Sequence, residues 1–361
     1  MNATVAPVLI MAGGTGGHIF PGIAVAEELG ARAVPVVWLG SERGLETRLV
    51  PRAGLPLHTL AIAGVRGKGA LAALTAPFQL ARAVVAAWRL LRRLRPRSAL
   101  ALGGFACGPG GLAAWLRGVP LVVHEQNSVP GLTNRVLARL ARRRLCGFPN
   151  ALPGAEWVGN PVRRDIAALP PPDRRASADR LRLLVLGGSQ GAIGLNLALP
   201  AALATLPATA RPQVRHQCGA QHLEATRRRY REAGVEAEVE PFIDDMAAAY
   251  AWADLAICRA GALTLAELCA VGLPAILVPF PAAVDDHQTR NAAVLVAAGA
   301  ARLVAEGEHF DQRLRTVLGE LLGDGVAACR ARLATMARAA RALARPEAAA
   351  RIAAICLEAA A

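Results

Sequence analysis

Lysine and aromatic residues are scarce in this sequence of 361 residues. Lys68 is the single lysine, so arginine supplies almost all of the positive charge, and the net charge is +14 at pH 7. This charge favours anionic partners such as nucleic acid, acidic lipid surfaces or phosphorylated substrates. Aromatic residues make up 4% of the chain and are not interleaved with basic residues, so nucleic acid is not expected as a partner.

Several chemistry-bearing motifs are also missing. The seven cysteines are odd in number, form no Cys-x-x-Cys pair and have no histidine cluster beside them, which predicts buried thiols in a reducing compartment. Asp-x-Asp does not occur, so no metal site is expected, and helix dipoles and arginine would have to neutralise a diphosphate. No G-x-x-x-x-G-K-[ST] phosphate-binding motif occurs either.

Long uninterrupted apolar runs are missing too. Residues 1–14 lack the basic start and the small-residue cleavage site of a signal peptide. The charge-poor stretch 187–210 is broken by Asn196 and two prolines, and the stretch 266–284 contains Glu267 and three prolines. Neither is expected to span a membrane, so the prediction is a cytosolic protein or one that sits on a membrane from the cytosolic side.

The chain does contain many apolar residues, 54% of the total, and a loose internal repeat. The apolar run 8–12 leads into Gly-Gly-Thr-Gly-Gly-His at 13–18, and the run 181–186 leads into Gly-Gly-Ser-Gln-Gly-Ala at 187–192. Each is a strand pattern, then a glycine-rich turn with a hydroxyl, then a helical pattern. At ~150 residues per domain, the length fits two domains that each open with one repeat.

Further short apolar runs alternate with amphipathic helical patterns in both halves. Such runs are typical of parallel strands that are covered on both faces. The predicted fold class is α/β, with two doubly wound Rossmann-like domains that face a central cleft. The expected strands are residues 34–39, 99–102, 121–123, 255–257 and 275–278, with 214–218 and 235–239 as weaker, more polar members.

A linker composition marks the boundary between the two halves. Residues 170–172 are prolines, and charged residues follow up to Arg182. The predicted domains are residues 1–160 and 161–337. The last helical pattern, 338–361, is interrupted at Pro346 and fits either half.

The two glycine-rich turns suit the binding of an oxyanion. A turn between a strand and a helix N-terminus presents unpaired N–H groups and the positive end of the helix dipole, which favour a diphosphate. Neither turn is a dinucleotide fingerprint, because the first has Ile19 in place of the third glycine and the second also lacks G-x-G. A tight turn without a ligand is the alternative for either loop alone.

His18 and the segment 124–127 supply candidate catalytic groups. His18 falls in the first helical turn after the first glycine-rich loop, where a neutral imidazole can accept a proton near pH 7. A capping or structural histidine is the alternative. Residues 124–127, His-Glu-Gln-Asn, follow a strand, and Glu125 is a second candidate base. A hydrogen-bonded loop is the alternative there.

Two segments of the second half place polar groups at further strand ends. Residues 259–267 follow the strand 255–257, and Gly261 opens a helix in which Glu267 could accept two hydrogen bonds from a ribose diol. A solvated glutamate is the alternative. Residues 285–291 could form another polar wall of the cleft, although a solvated loop is the favoured interpretation.

Residues 77–97 are the best candidate for membrane contact. At ~100° per residue, Leu80, Val84, Trp88 and Leu91 share one helix face, and four arginines lie opposite. Bulky apolar residues with an arginine face suit an interfacial helix on anionic lipid. A core-packing helix with a solvated basic side is the alternative.

The order of the motifs resembles one family along essentially the whole chain. The set is similar to that of the bacterial N-acetylglucosaminyltransferases of peptidoglycan synthesis, in glycosyltransferase family 28. The motifs are, in sequence, Gly-Gly-Thr-Gly-Gly-His at 13–18 with Pro21, Gly103-Gly104-Phe105 with Gly108-Pro109-Gly110, His124-Glu125-Gln126-Asn127, Gly159-Asn160-Pro161-Val162-Arg163, residues 187–192, Arg259-Ala260-Gly261, and Gln288 with Asn291.

This resemblance implies a GT-B fold and a reaction that needs neither metal nor cofactor. The implied reaction is the inverting transfer of N-acetylglucosamine from UDP-N-acetylglucosamine to the C4 hydroxyl of the muramyl sugar of lipid I. Lipid I is undecaprenyl-diphospho-N-acetylmuramoyl-pentapeptide, and the products would be lipid II and UDP. The implied location is the cytoplasmic face of the inner membrane, as a peripheral protein on anionic lipid, with other cell-wall synthesis proteins as partners.

The resemblance also assigns roles to residues. Thr15, Gly16 and Gly17 would lie near the acceptor diphosphate, Asn127 would contact sugar, and His18 is the favoured general base. The final helix, within 338–361, would pack on the first domain. Nucleotide and donor sugar would be bound by Arg163, Ser189, Ile243, Ala262, Leu263, Thr264, Leu265, Ala266, Glu267 and Gln288.

Two positions depart from the family pattern, and several alternative functions stay open. Phe105 replaces a common tyrosine on the acceptor side, and His287 replaces a glutamine beside Gln288. Within the same fold, the alternatives are a diacylglycerol glycosyltransferase and a UDP-N-acetylglucosamine epimerase. A catalytically silent UDP-sugar-binding protein on the membrane is the alternative of another class. A nicotinamide oxidoreductase fits less well, because the fingerprint is absent from both loops.

Overall fold

The chain divides into two compact units, which are described separately. The computed structural model describes residues 5–62, 69–172, 179–188 and 191–360, with the backbone alone at 69–75 and 284. One unit is Met1–Arg163 together with Arg345–Ala361, and the other is Arg164–Ala344. The boundaries expected from the sequence, 160/161 and 337/338, lie three and seven residues before these.

A parallel sheet of seven strands forms the centre of the first unit. The strands are β1 (Val8–Ala12), β2 (Val36–Ser41), β3 (Leu57–Leu60), β4 (Ser98–Gly103), β5 (Leu121–Glu125), β6 (Arg143–Cys146) and β7 (Glu156–Trp157). Their order in the sheet is β3-β2-β1-β4-β5-β6-β7. The carboxyl ends of β1, β4 and β5 are therefore neighbours at one edge.

Helices cover both faces of this sheet, since alternate residues of a strand face opposite sides. They are α1 (Gly16–Ala31), α2 (Glu46–Arg52), α3 (Gly69–Leu94), α4 (Cys107–Leu116), α5 (Leu132–Leu137) and, from the end of the chain, α14 (Ala348–Glu358). Val8 and Ile10 pack in a core with residues of α1 and α14. Leu9 and Met11 pack on the opposite face with residues of α3 and α4.

The second unit has a parallel sheet of six strands. They are β8 (Arg182–Leu186), β9 (Gln213–Gln217), β10 (Ala237–Glu240), β11 (Leu255–Cys258), β12 (Ala275–Leu277) and β13 (Ala301–Leu303), in the order β10-β9-β8-β11-β12-β13. Its helices are α6 (Arg164–Ala167), α7 (Ile193–Ala204), α8 (Leu223–Glu232), α9 (Met246–Trp252), α10 (Ala262–Val271), α11 (His287–Ala297), α12 (Phe310–Leu322) and α13 (Val326–Ala342). Short 3-10 helices in the described part of this unit include Ala208–Ala210, Ala220–His222 and Val284–Asp286.

The predicted fold class of two Rossmann-like α/β domains is confirmed. Every expected strand overlaps an observed one, including the weaker pair at β9 and β10. The sequence did not predict β3, β6, β7 and β13. They are two to four residues long and carry polar side chains such as those of Arg143 and Arg302. β3, β7 and β13 each end a sheet, and β6 lies next to β7.

The last helical pattern is divided near Pro346, because proline disfavours helical backbone in the residue before it. Residues 338–342 end α13 in the second unit, whereas α14 packs against α1 in the first. Arg351 of α14 is fixed there by a 3.0 Å hydrogen bond from its Nε to Glu156 Oε1. Within the described ranges, no helix has the length and apolarity to cross a bilayer.

Candidate functional site

The first glycine-rich loop ends at the N-terminus of α1. The carbonyl oxygen of Thr15 accepts hydrogen bonds from the N–H groups of His18 (3.1 Å) and Ile19 (3.3 Å), which closes the first helical turn. The side chain of Thr15 is exposed. Gly16 and Gly17 are the first two helical residues, so their N–H groups have no acceptor within the helix. The loop thus presents a hydroxyl and backbone donors at the three positions predicted to lie near the acceptor diphosphate.

A buried carboxylate, Glu46 in the first turn of α2, supports this loop. Its oxygens accept hydrogen bonds from Gly14 N (2.9 Å), Ser41 N (2.8 Å) and Ser41 Oγ (2.6 Å). Burial acts to raise the pKa of Glu46, but the bonds from Ser41 and Gly14 hold that pKa below its ordinary value. The sequence analysis missed Glu46, because a lone glutamate at a helix start belongs to no motif.

His18 lies in the first turn of α1 with its ring against the backbone of Gly103. A Cβ at residue 103 would lie 2.7 Å from His18 Cε1, so only glycine leaves room for the ring. The ring is half-buried, and its Nδ1 lies 2.9 Å from Oε1 of Gln126. These contacts fix the imidazole. Because Nδ1 is hydrogen-bonded within the protein, Nε2 is the ring nitrogen available to a substrate proton.

Glu125 is hydrogen-bonded to residues that follow it in the chain. His124 and Glu125 are the last residues of β5 rather than part of the loop after it. The buried carboxylate of Glu125 accepts four hydrogen bonds: from Asn127 N (2.9 Å), Asn127 Nδ2 (3.3 Å), Gly131 N (3.2 Å) and Asn134 Nδ2 (2.9 Å). Both carboxylate oxygens are therefore hydrogen-bonded within the protein, and the role of Glu125 as an alternative base stays a prediction. The same bonds fix Asn127, the predicted sugar contact.

Gly188, in the second glycine-rich loop, is held by Gln217, which the sequence analysis also missed. Gln217 Oε1 accepts from Gly188 N (2.9 Å), and its Nε2 donates to the carbonyl oxygen of Gly188 (2.8 Å). Gly191 has a φ of +78°, and a side chain there would collide with the carbonyl oxygen of Cys218. Ser189, a predicted nucleotide contact, lies outside the described residues.

The predicted nucleotide-binding segment, 262–267, forms the start of α10. Gly261 is the N-cap, so the first N–H groups of the helix are available to an anion. Glu267 is half-buried and lies in the second turn, as predicted, and its Oε2 accepts a 2.9 Å hydrogen bond from the hydroxyl of buried Tyr250. Tyr250 has no motif in the sequence and was not predicted.

Gln288 lies in the first turn of α11 with its amide oriented by the backbone. Its Oε1 accepts from the N–H groups of Phe280 (2.9 Å) and Ala260 (3.2 Å). The same carboxamide therefore directs its Nε2 group away from these donors. Asn291, one turn later, donates from Nδ2 to the carbonyl oxygen of Ala260 (3.3 Å). Residues 287–291 are helical, so the favoured interpretation of 285–291 as a solvated loop is wrong for this part.

Two further predicted residues lie at separate positions of the chain. Arg163 is half-buried at the last residue of the first unit. Ile243 is buried in the second unit, just before α9. Phe105 is exposed directly after β4, on the same sheet edge as the first glycine-rich loop.

The structure corrects the apolar face predicted for α3. Leu91 is 1% exposed and packs in the core, and Val84 is half-buried against that core. Leu80 and Trp88 are exposed. Two arginines outside the predicted basic face, Arg92 of α3 and Arg117 at the end of α4, place their guanidinium groups 5.8 Å and 5.0 Å from the Trp88 ring centre.

Comparison with known proteins identifies relatives of both units. The glycosyltransferase family 28 N-terminal domain matches residues 8–145, and the corresponding C-terminal domain matches residues 182–352. A protein of Alkalilimnicola ehrlichii is 59% identical over 98% of both chains. A protein of Xanthomonas axonopodis pv. citri is 58% identical over 99% of this chain and 83% of its own. Both are named UDP-N-acetylglucosamine–N-acetylmuramyl-(pentapeptide) pyrophosphoryl-undecaprenol N-acetylglucosamine transferase.

Solved structures give the same relationship. The crystal structure of Acinetobacter baumannii MurG is 40% identical, with a TM-score of 0.86 over 97% of this chain and 99% of its own. The glycotransferase of kitacinnamycin is 20% identical, with a TM-score of 0.65 over 98% and 99% of the two chains. This second likeness supports the fold alone.

Proposed function

Because the chain belongs to glycosyltransferase family 28, we propose that it transfers N-acetylglucosamine from UDP-N-acetylglucosamine to lipid I. The acceptor is the C4 hydroxyl of the muramyl sugar, and the products are lipid II and UDP. The observation that carries this proposal is the 59% identity, over 98% of both chains, with a transferase named for these substrates.

On the acceptor side, His18 acts as the general base. The acceptor hydroxyl gives its proton to His18 Nε2 while its oxygen bonds to the anomeric carbon of the donor sugar. The bond from that carbon to the UDP oxygen breaks, and the electron pair leaves with UDP. A single displacement of this kind inverts the anomeric configuration. The ring contacts with Gly103 and Gln126 support the role, since a base must be held within hydrogen-bond reach of its proton.

The residues around the first helix N-terminus bind the rest of the acceptor. Thr15, Gly16 and Gly17 contact its diphosphate through a hydroxyl and backbone N–H groups, and the helix dipole favours the negative charge. Asn127 contacts the sugar, and Glu125 and Glu46 hold the two loops in place. No metal is required for this anion binding.

On the donor side, the start of α10 binds the nucleotide. Residues 262–266 offer backbone N–H groups to phosphate and uracil, and Glu267 accepts hydrogen bonds from the ribose hydroxyls. Arg163, Ser189 and Ile243 complete the nucleotide contacts, with Arg163 balancing the charge of the departing diphosphate. Gln288 donates its Nε2 hydrogens to the donor sugar, because its Oε1 is bonded to backbone.

An exposed apolar surface on α3 mediates peripheral attachment to the cytoplasmic face of the membrane. This surface, the α3 patch, consists of Phe78, Leu80, Val85 and Trp88, all exposed. Guanidinium groups stack on two of its aromatic rings, so cationic groups stand beside apolar ones. That combination favours anionic lipid, where the lipid acceptor and other cell-wall synthesis proteins reside.

The test is release of UDP from UDP-N-acetylglucosamine by the purified protein, with and without a lipid I analogue, in the presence of EDTA. We expect release that depends on the acceptor and survives EDTA. Release without acceptor would indicate a hydrolase, and conversion of the donor to an epimeric UDP-sugar without net UDP release would indicate an epimerase. Binding of the donor without turnover would indicate a different acceptor or a sugar-nucleotide-binding protein.

A further inference from the structure

A chain of hydrogen bonds leads from His18 into the buried end of β5. His18 Nδ1 lies 2.9 Å from Gln126 Oε1, and Gln126 Nε2 lies 3.0 Å from His124 Nδ1. His124 Nε2 in turn lies 2.8 Å from the carbonyl oxygen of Gly159. Gln126 and His124 are both buried, so solvent does not reach the inner hydrogen bonds of this series.

The hydrogens of this chain can be placed from the Gly159 end. A carbonyl oxygen only accepts, so His124 Nε2 carries a hydrogen. Burial lowers the pKa of His124 to about 4, so its ring is neutral at pH 7 and its Nδ1 is an acceptor. The group that faces Nδ1 of His124 must therefore be a donor, which is the NH2 of the Gln126 amide.

A second contact fixes the Gln126 amide independently. Its Nε2 also lies 3.1 Å from the carbonyl oxygen of His124, another group that only accepts. The main chain of Gln126 is held as well, because its carbonyl oxygen accepts a 2.9 Å hydrogen bond from Asn160 Nδ2. The amide oxygen of Gln126 thus faces His18, and only an N–H at Nδ1 of His18 can bond to it.

We propose that Gln126 and His124 are positioning residues that hold neutral His18 as the Nδ1–H tautomer, with the lone pair on Nε2. The hydrogen bond at one imidazole nitrogen sets the protonation of the other, and a base needs its lone pair on the atom that faces the substrate. The catalytic part of this inference rests on the proposed role of His18 as base. The tautomer itself does not, and it can be measured without substrate.

The direct test is nitrogen NMR of the full chain labelled with 15N-histidine, without ligand, at a pH where His18 is neutral. His18→Ala identifies the His18 signals. We expect a protonated Nδ1 and an unprotonated Nε2 in the wild type. Gln126→Met, which has a similar shape and no amide, should move the signals toward Nε2–H. An Nε2–H form in the wild type would overturn the proposal, and that measurement needs no variant to fold.

Kinetics then test whether the tautomer matters. Gln126→Met should lower kcat by about tenfold or more, up to the ~10²–10⁴-fold that a general base contributes, with little change in KM. In a His18→Ala background, Gln126→Met should cause no further loss, because both changes remove one function. If the two substitutions lower kcat additively, Gln126 does not act through His18.

The two hypotheses can fail separately. If His18→Ala keeps wild-type kcat while the NMR signals show Nδ1–H, the base role fails and the tautomer assignment stands. If His18→Ala is inactive while the wild type shows Nε2–H, the reaction requires His18 but the positioning role of Gln126 and His124 fails.

Discussion

The hydroxyl of Tyr250, in α9, donates a 2.9 Å hydrogen bond to Oε2 of Glu267, in α10. Tyr250 is fully buried, so its hydroxyl cannot turn to solvent, and the bond restricts the Glu267 carboxylate to one orientation. A carboxylate that is held before the ligand arrives loses less conformational entropy on binding. The pair therefore prepares the group that we propose binds the ribose.

Tyr250→Phe should weaken UDP binding by about two- to tenfold, since a hydrogen bond contributes ~0.5–1.5 kcal/mol. Titration calorimetry with UDP and 2′-deoxy-UDP measures both affinity and ribose recognition. The wild type should prefer UDP, and Glu267→Ala should bind the two nucleotides equally. Glu232→Gln, on the exposed side of α8, is the matched control and should retain the preference. If the wild type binds UDP and 2′-deoxy-UDP with equal affinity, Glu267 does not recognise the ribose 2′-hydroxyl.

His18→Ala should lower kcat by ~10²–10⁴-fold with a smaller effect on KM, because the proton moves only in the transition state. Steady-state UDP release at saturating donor and acceptor measures this. The control is His309→Asn, at an exposed histidine of the second unit whose positive φ asparagine tolerates. A kcat within about threefold of wild type for His18→Ala would exclude the base role.

Residues on long apolar strands and at glycine-rich turns were predictable from the sequence, because burial and turn geometry restrict which residues occur there. The positions of His18, in the first turn of α1, and of Glu267, inside α10, followed from these two signals. The shortest strands did not, since a strand such as β7, Glu156–Trp157, has no periodicity to detect.

Residues that support the site through tertiary contacts were not predictable. Glu46 is separated from Gly14 by 32 positions, and Tyr250 from Glu267 by 17, so no local pattern links either pair. Periodicity also failed to distinguish core from surface on α3, because Leu91 and Trp88 share a helix face while only Leu91 is covered by the first unit. Which residues of a helix face are buried depends on the neighbouring elements that pack against the helix, and the sequence of the helix alone does not show these.

Glu46 should make stability depend on pH below its ordinary pKa. Its pKa is lowered in the folded state, so its contribution is complete above the ordinary value of 4.5 and is lost as pH falls through the folded-state pKa. Glu46→Gln should cost ~1–3 kcal/mol at pH 7, where it leaves buried donors poorly paired. Urea unfolding of the variant and wild type should show this difference shrinking in acid. Glu42→Gln, at an exposed neighbour, is the control, and an equal loss there would contradict the prediction.

Trp88→Glu should reduce binding to vesicles that contain anionic lipid, while its melting temperature stays close to that of the wild type. Trp88 is exposed in the α3 patch, so its replacement removes apolar contact and adds repulsion from the lipid charge. Leu91→Ala is the matched comparison, because this core residue should lose ~2–5 kcal/mol of stability and keep vesicle binding below its melting temperature. If Trp88→Glu floats with the vesicles as the wild type does, the α3 patch does not mediate membrane binding.

Gln288→Glu should separate recognition of the donor sugar from recognition of the nucleotide. A carboxylate can still accept from the N–H groups of Phe280 and Ala260, so the side chain should keep its place. Its second oxygen, however, replaces the NH2 group that we propose donates to the sugar. The affinity for UDP should therefore stay within about twofold of wild type, whereas kcat/KM for UDP-N-acetylglucosamine should fall by about tenfold or more. Gln312→Glu, on the exposed side of α12, adds the same charge as a control. Parallel losses for UDP and for the sugar nucleotide would instead place Gln288 in the nucleotide contacts.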